Sequence, residues 1–355
     1  MADLAAVSIL LTQAVRSRAF PAAVAEVGTR ESRVWEGAFG ALGADPTRAA
    51  APDTVFDLAS LTKVIVTTTL AMRGIEAGRL ALSDQVSQWL PAWRGTDRAT
   101  VTLSDLLEHA SGLTPHLPFF RDHTGRADFE YAICTLPLEY APRTRSVYSD
   151  LGFILLGFIL ADCDARQQPI DQQFSALAAA RGWGELRYRP PSEWRTRTAP
   201  TEVDPWRGRL AVAEVHDQNA WALQGVAGHA GLFGTAAAVG RFARDLLRTM
   251  SGATTRGGHL VSRATMARFT TPTTVPGSSR ALGWDTMRHT SSCGTHMSPA
   301  AIGHTGFTGT SLWIDPQADV YVVLLTNRVH PSRENDGILA IRPVFHDVVM
   351  AAMAP

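Results

Sequence analysis

The chain has 355 residues, 45% of them hydrophobic and 19% charged, and its 33 basic residues balance 33 acidic ones to a formal net charge of zero. That balance leaves no electrostatic footprint for nucleic acid or an anionic membrane. The apolar fraction excludes a disordered chain and suits one large domain or two intimate ones.

The opening stretch, MADLAAVSILLTQAVRSRAF, puts an acid where a secretory signal needs positive charge and interrupts its apolar run at Gln13 and Arg16, so it predicts an amphipathic helix of the folded protein. AAVAEVG and VWEGAFG, joined through the polar TRES, predict an antiparallel hairpin that begins a sheet. LASLTKVIVTTTLAMRGIEAG then predicts a long helix ending at Gly78, with Ser60 at its start and Leu61, Ile65, Thr68, Leu70 and Met72 near one side. From about 80 to 225 the pattern changes to short helices and Pro-punctuated loops, among them LSDLLEHASGL and RYRPPSEWRTRTAPTEVDPWRGR. Within it, LGFILLGFILA (151–161) is the most apolar run of the chain. It falls well short of the roughly 20 residues that span a bilayer and predicts a buried helix.

TAAAVGRFARDLLRTM (235–250) predicts an amphipathic helix opened by a Thr cap. Strand signals return in ALGWDT, AIGHTGF, TSLWIDP and VYVVLLTN, and a helix from about 336 to 353 closes the chain. Strands near both ends with helices between them predict one sheet built from sequence-distant segments. A sheet-containing part, about 1–79 and 226–355, is expected to join a helical, loop-rich part, about 80–225, within a single domain. No internal repeat or low-complexity linker interrupts it. Cys134, Cys163 and Cys293 are odd in number, widely spaced and outside metal-ligand spacing, which fits a reducing compartment. The cytoplasm is the expected location, or the periplasm or exterior if a leader has been removed.

Lys63 is the only lysine in the chain, and the other 32 basic residues are arginine. An Arg-biased genome leaves a stray lysine by chance, but lysine can lose its proton when desolvated and guanidinium stays charged. Ser60 lies three residues before Lys63, so a helix puts both side chains on one face, the hydroxyl beside an amine that can accept its proton and at the helix end that favours developing negative charge. A second candidate is VYSDLGF, in which Tyr148, Ser149 and Asp150 open the apolar helix; packing and capping are the alternatives to a chemical role. A third is GHTGFTGTSLWIDP, Gly-rich backbone on an expected edge strand. It reads either as a bulged strand or as one that accepts substrate backbone and donates an amide to an oxyanion.

In this order, S-x-x-K, Tyr-x-(Asn or Asp) and (Lys or His)-Thr-Gly resemble the active-site triplet of the serine β-lactamase and penicillin-binding-protein superfamily, in its class C-like branch. That branch includes class C β-lactamases, D-alanyl-D-alanine carboxypeptidases, D-aminopeptidases and family VIII esterases. DTVFDLASLTKVI, LSDLLEHASGL, YSDLGFILLG, VAGHAGLFGTA, and GHTGFTGTSLWIDP with the following VVLLTNRVHP also look like stretches of it, so the resemblance covers nearly the whole chain. It implies an α/β fold of the α+β type, an antiparallel sheet flanked by helices and joined to a helical subdomain, with the active site between them. It implies Ser60 as the acylated nucleophile, Lys63 as the amine that helps remove its proton, and Tyr148 as the phenol that relays protons at the leaving group. The amides of Ser60 and Phe307 would form the oxyanion hole, and Asp150, His304, Thr305 and Gly306 would meet the substrate.

Two positions depart from the pattern. Asp150 stands where the family usually has Asn, and His304 where it usually has Lys, so the cleft is expected to be less positive and preference for carboxylate-bearing ligands is put in doubt. The implied activity is that of a serine hydrolase acting on an ester, amide or peptide bond, carboxypeptidase-like or esterase-like ahead of β-lactamase. A non-catalytic penicillin-binding sensor is the alternative from another class. Neither cofactor nor metal is implied, and His216, Asp217 and His229 are expected to order loops at the cleft edge rather than bind an ion. His109 is expected to be a buried or capping histidine near the cleft floor, and Trp89, Trp93, Trp221 and Trp284 to pack in the core or line a pocket. The expected partner is a small-molecule or peptide substrate, with no nucleic acid and no membrane span; the sequence does not set the oligomeric state.

Overall fold

Strands buried at every position need cover on both faces, and two neighbouring strands of this protein have it. The computed structural model describes residues 4–43, 45–253 and 257–354. In chain order the strands are β1 (Ala22–Gly28), β2 (Arg33–Gly40), β3 (Phe56–Asp57), β4 (Leu186–Tyr188), β5 (Val203–Asp204), β6 (Arg209–Leu210), β7 (Leu232–Gly234), β8 (Asp285–Thr286), β9 (Ile302–Thr305), β10 (Ser311–Asp315) and β11 (Val320–Thr326). Six of them form one sheet in the order β2-β1-β11-β10-β9-β8, with every described pairing antiparallel. The predicted hairpin is β1-β2, and β1 also pairs with β11 in a register that sets Ala23 opposite Thr326. The two ends of the chain therefore close one sheet, as the strand pattern implied.

Side chains alternate between the two faces of a strand, and two cores follow. Ala23, Ala25 and Val27 of β1 and Val320, Val322 and Leu324 of β11 pack against Val7, Leu11 and Ala14 of the Ala5–Arg16 helix and Phe345 and Val349 of the Ile338–Met353 helix. Val24, Tyr321, Val323 and Leu325 point the other way, into a core with Val239, Phe242, Ala243 and Leu246 of the Ala236–Ser251 helix. That helix has the predicted Thr cap: Thr235 accepts the Ala238 amide, and Gly252 ends it with a left-handed φ of 76°.

The second core continues into the helical part, whose centre is the Asp150–Asp162 helix. Leu151 to Leu160 are all buried, so the helix is apolar all round and enclosed, as its composition predicted. It meets the Lys63–Thr68 segment across a glycine contact. A Cβ on Gly228 would overlap the Phe153 carbonyl oxygen and come within 3.0 Å of the Gly157 Cα, while the Gly228 carbonyl accepts the Thr67 hydroxyl at 2.6 Å.

Two features depart from the sequence reading. The expected long helix from Ser60 to Gly78 is a π-helical segment, Lys63–Thr68, followed by an α-helix, Thr69–Glu76. Residues 64–69 are all β-branched, which gives the α form little intrinsic support, and π segments occur frequently at functional sites. The loop-rich part also contributes to small sheets, β3-β7-β4 and β5-β6. Strands of two or three residues are too short to display a period.

Gly228→Ala is expected to lower stability by about 1–3 kcal/mol, the usual range for overpacking a tight core contact. Thermal or urea unfolding measures it, and an unchanged midpoint would show that the Asp150–Asp162 helix can move away at no cost.

Candidate active site

Ser60 follows a backbone kink. Ala59 has a φ of 46°, a left-handed conformation unusual for a residue with a side chain, and its amide is tied to Asp57 Oδ1 at 2.9 Å. The kink delivers Ser60 to the first turn, where Lys63 N bonds to Ser60 O at 3.0 Å. Three residues on, Lys63 Nζ donates to Ser60 Oγ at 2.9 Å and to the His229 carbonyl at 3.1 Å, with no exposed surface. Tyr148 OH donates to the same Ser60 Oγ at 2.8 Å. The serine hydroxyl thus sits between an amine and a phenol brought from a helix start 88 residues away.

Asp150 does not cap its own helix. Its Oδ1 lies 2.7 Å from Lys63 Nζ, an ion pair with the lysine fully buried and the carboxylate 19% exposed. Burial works against the charge on Lys63, but Asp150 and then Tyr148 outweigh it and hold the amine above its ordinary pKa. Burial likewise opposes the Asp150 charge, and Lys63 overcomes it, so the carboxyl stays well below its usual range. Burial raises the Tyr148 phenol more than Lys63 lowers it. The resting site therefore holds an ammonium, a carboxylate and a neutral phenol.

His229 Nε2 meets Asp217 Oδ1 at 2.9 Å, and Asp150, Asp217 and His229 each bring one ligand atom within 4.8 Å of the others. The Lys63 ammonium lies against one member of this group, Asp150, and against the His229 carbonyl. His216 Nε2 meets Glu202 Oε2 at 2.9 Å, while its amide bonds to Asp57 Oδ2 at 2.6 Å. His216, Asp217 and His229 are thus tied by hydrogen bonds into the loops beside Ser60.

His109 supports Tyr148. Its Nδ1 accepts the Ser149 amide at 3.0 Å, and its ring lies 4.7 Å from the Tyr148 ring and 5.0 Å from Phe153. Trp93 and Trp284 are core residues, Trp221 is 37% exposed, and none of the four tryptophans lines the Ser60 pocket.

The third motif closes the pocket from the sheet side. Thr308 Oγ1 donates to the Asp57 carbonyl at 2.8 Å and Thr310 Oγ1 to that of Leu58 at 3.1 Å. This stitches the 306–310 turn to the Ser60 loop. Gly306 is required there, because a Cβ would come within 2.7 Å of the Leu58 carbonyl oxygen. Among the described residues, the amides of Ser60 and Phe307 donate to no protein acceptor, which leaves both for a ligand oxygen. The expected edge strand is corrected in part: β8 pairs with β9 at Ile302 and Gly303, and only the His304–Thr305 end is unpaired on that side.

The three motifs do not account for all the charge of the cleft. A pocket of about 430 Å³ is lined by Ser60, Tyr148, His304, Thr305, Gly306 and Phe307, and equally by Arg280, Arg328 and Arg342. His304 is 3% exposed and its Nδ1 lies 2.7 Å from the Thr305 carbonyl. Burial, then Arg280 and Lys63, push its pKa well below the ordinary value, so it is neutral as the sequence implied. The positive charge comes instead from arginines outside the three motifs. Sequence reasoning passed over Arg280, in SSRALGWDT, and also His116, whose Nδ1 lies 3.8 Å from Asp150 Oδ2. Neither stands in a motif, and only the tertiary fold brings them to the site.

The family model for Beta-lactamase matches residues 8–344. The chain belongs to the beta-lactamase family. An N-acetylmuramyl-L-alanine amidase of Bacillus subtilis (strain 168) is 31% identical over 316 residues, covering 78% of this chain and 68% of the relative. A putative D-alanyl-D-alanine carboxypeptidase of Salmonella gallinarum (strain 287/91 / NCTC 13346) is 29% identical over 333 residues, covering 83% and 74%. Among solved structures, EstCE1, a hydrolase with promiscuous acyltransferase activity, superposes with a TM-score of 0.76 at 21% identity over 97% of both chains. The protein is thus a beta-lactamase-family serine hydrolase with the fold of that family, the antiparallel sheet with flanking helices that the motifs implied.

Asp150 is the departure whose effect can be measured directly. Its carboxylate stabilises the Lys63 ammonium, so Asp150→Asn lowers the lysine pKa and a neutral amine becomes available at lower pH. The acidic limb of the kcat/KM profile is expected to move to lower pH by about one unit or more. A limb that stays in place or moves upward would show that Lys63 deprotonation does not set it.

Proposed function

We propose that this hydrolase acts by acylating Ser60 with the acyl part of an ester, amide or peptide substrate, in the manner of a carboxypeptidase or esterase, and then hydrolysing the acyl-enzyme. The observation that carries the reading is the position of Ser60 Oγ, 2.9 Å from Lys63 Nζ and 2.8 Å from Tyr148 OH. The names of the amidase and carboxypeptidase relatives agree with scission of an acyl bond.

Lys63 acts in its neutral form, reached when the amine gives its proton to solvent, an equilibrium that the Asp150 carboxylate opposes. Neutral Lys63 takes the Ser60 proton as Oγ attacks the carbonyl carbon, and the oxyanion lies against the amides of Ser60 and Phe307. When the tetrahedral species collapses, Tyr148 gives its proton to the leaving group and recovers one from Lys63. Acyl-Ser60 and a neutral leaving group remain. Deacylation runs the same path with water in place of the leaving group: water loses a proton to the Lys63–Tyr148 pair, and Ser60 regains one as it departs.

Ser60→Ala is expected to abolish the adduct that a fluorophosphonate forms, read by intact-protein mass spectrometry; an adduct surviving on Ser111 or Ser149 would overturn the assignment. Lys63→Arg keeps the charge but cannot become neutral, and it should lower kcat on a p-nitrophenyl ester by about 10²–10⁴-fold. Wild-type activity in that variant would make Lys63 a remnant of composition. Turnover of the ester beyond one equivalent separates this reading from a protein that only traps an acyl group.

A further inference from the structure

Three arginines of the Ala236–Ser251 helix, Arg241, Arg244 and Arg248, stand at i, i+3 and i+7, so they share one face and run along about 10 Å of it. With Arg33 of β2 and Arg181 they line a pocket of about 430 Å³ that shares no lining residue with the Ser60 pocket. Like charges at these spacings oppose one another on a helix. The zero net charge of the chain therefore conceals a local concentration of guanidinium groups.

The acids nearby do not neutralise these three. Asp245 is engaged by Arg181 through two nitrogens, at 2.7 and 2.6 Å, and by Trp183 Nε1 at 3.0 Å. Glu36 pairs with Arg33 at 2.9 Å, and Glu31 faces Arg30 at 3.9 Å. Glu26, 1% exposed, accepts the Tyr321 hydroxyl at 2.6 Å and lies 4.0 Å from Arg33. Burial raises its pKa more than Tyr321 and the arginines lower it. Among the described residues, the three helix arginines donate only to neutral acceptors. Arg241 Nε reaches the Trp183 carbonyl at 2.8 Å, a terminal nitrogen of Arg244 reaches the Tyr321 hydroxyl at 3.4 Å, and Arg248 reaches the carbonyls of Arg30 and Glu31 at 2.7 and 3.3 Å. These bonds hold the guanidinium groups in place and leave terminal nitrogens of Arg241 and Arg244 to a ligand.

A carboxylate presents one edge, which a single guanidinium fork fills. Three guanidinium groups in a row match an anion with several oxygens and more than one charge, and linked phosphoryl groups supply both. Trp183, the one aromatic side chain among the described residues of the wall, is 1% exposed and packs on Phe174 and Phe242, so no ring face is open for stacking. Recognition rests on charge and oxygen geometry.

We propose that this pocket is an anion site that binds a diphosphate group across Arg241, Arg244 and Arg248. It is independent of the acyl-Ser60 reading, since it touches none of that machinery.

Isothermal titration of the full chain with inorganic pyrophosphate, orthophosphate, citrate and ADP, in the absence of divalent metal, tests it. Pyrophosphate is expected to bind about tenfold or more tighter than orthophosphate or citrate, and to weaken as salt is raised. Arg241→Gln/Arg244→Gln should lose about tenfold or more of that affinity, and pyrophosphate should raise the unfolding midpoint of the wild type but not of this variant. Should the double variant fail to fold, Arg248→Gln decides: weaker binding supports the site, and unchanged affinity overturns it. ADP that binds like pyrophosphate makes organic diphosphates an equal source of the ligand, and ADP that does not bind restricts it to the inorganic anion. No binding by the wild type, citrate bound as tightly as pyrophosphate, or affinity unchanged in the double variant overturns the proposal. So does a single-stranded oligonucleotide that binds where pyrophosphate does not, which would make the arginines a nucleic-acid surface.

Discussion

The site depends on one buried ion pair, that of Lys63 with Asp150. Taking both charges out of water costs several kcal/mol per ion, recovered only where the geometry is good and further hydrogen bonds satisfy the groups. Here the ammonium also has Ser60 Oγ and the His229 carbonyl. The carboxylate has its second oxygen toward His116. Because Lys63 belongs to the segment after β3 and Asp150 opens the apolar helix of the other part, the pair fixes one part against the other. It also sets the protonation state from which any reaction starts.

Much of this was legible locally. Ser60 and Lys63 are three residues apart, and Tyr148 and Asp150 two, so short-range spacing alone pairs them within their elements. The sheet was legible because β1 and β11 are long enough to show their composition, and the Ala236–Ser251 helix because its cap and apolar face agree. The contact between the two pairs was not, since 88 residues separate Ser60 from Tyr148 and nothing local encodes their meeting. The π segment escaped notice for a different reason. An apolar helical pattern does not distinguish helix types, and what supports the wider turn is tertiary, such as the Thr67 hydroxyl reaching Gly228.

The charge of the cleft shows how a local reading can be right about a residue and incomplete about a site. His304 is neutral, as its type implied. Yet the field in a pocket is the sum over every wall, and three arginines come from segments that carry no motif: the loop before β8, the turn after β11 and the last helix. One of them, Arg280, sets its guanidinium carbon 5.1 Å from the centroid of the Tyr148 ring.

The stitching of the 306–310 turn to residues 57 and 58 has a consequence for how activity reports on folding. The two amides proposed as oxyanion donors come from segments nearly 250 residues apart, held in register by hydroxyl-to-carbonyl bonds that span 251 and 252 positions. Ordering contacts of that span is slow and comes after local structure, so a partly folded chain with its helices formed is still inert. Loosening β9 and β10 in the native protein separates Phe307 from Ser60 before the nucleophile itself is disturbed. Acyl transfer is then a more sensitive gauge of sheet closure than helix content is, because it is lost as soon as the distant ends of the chain part company.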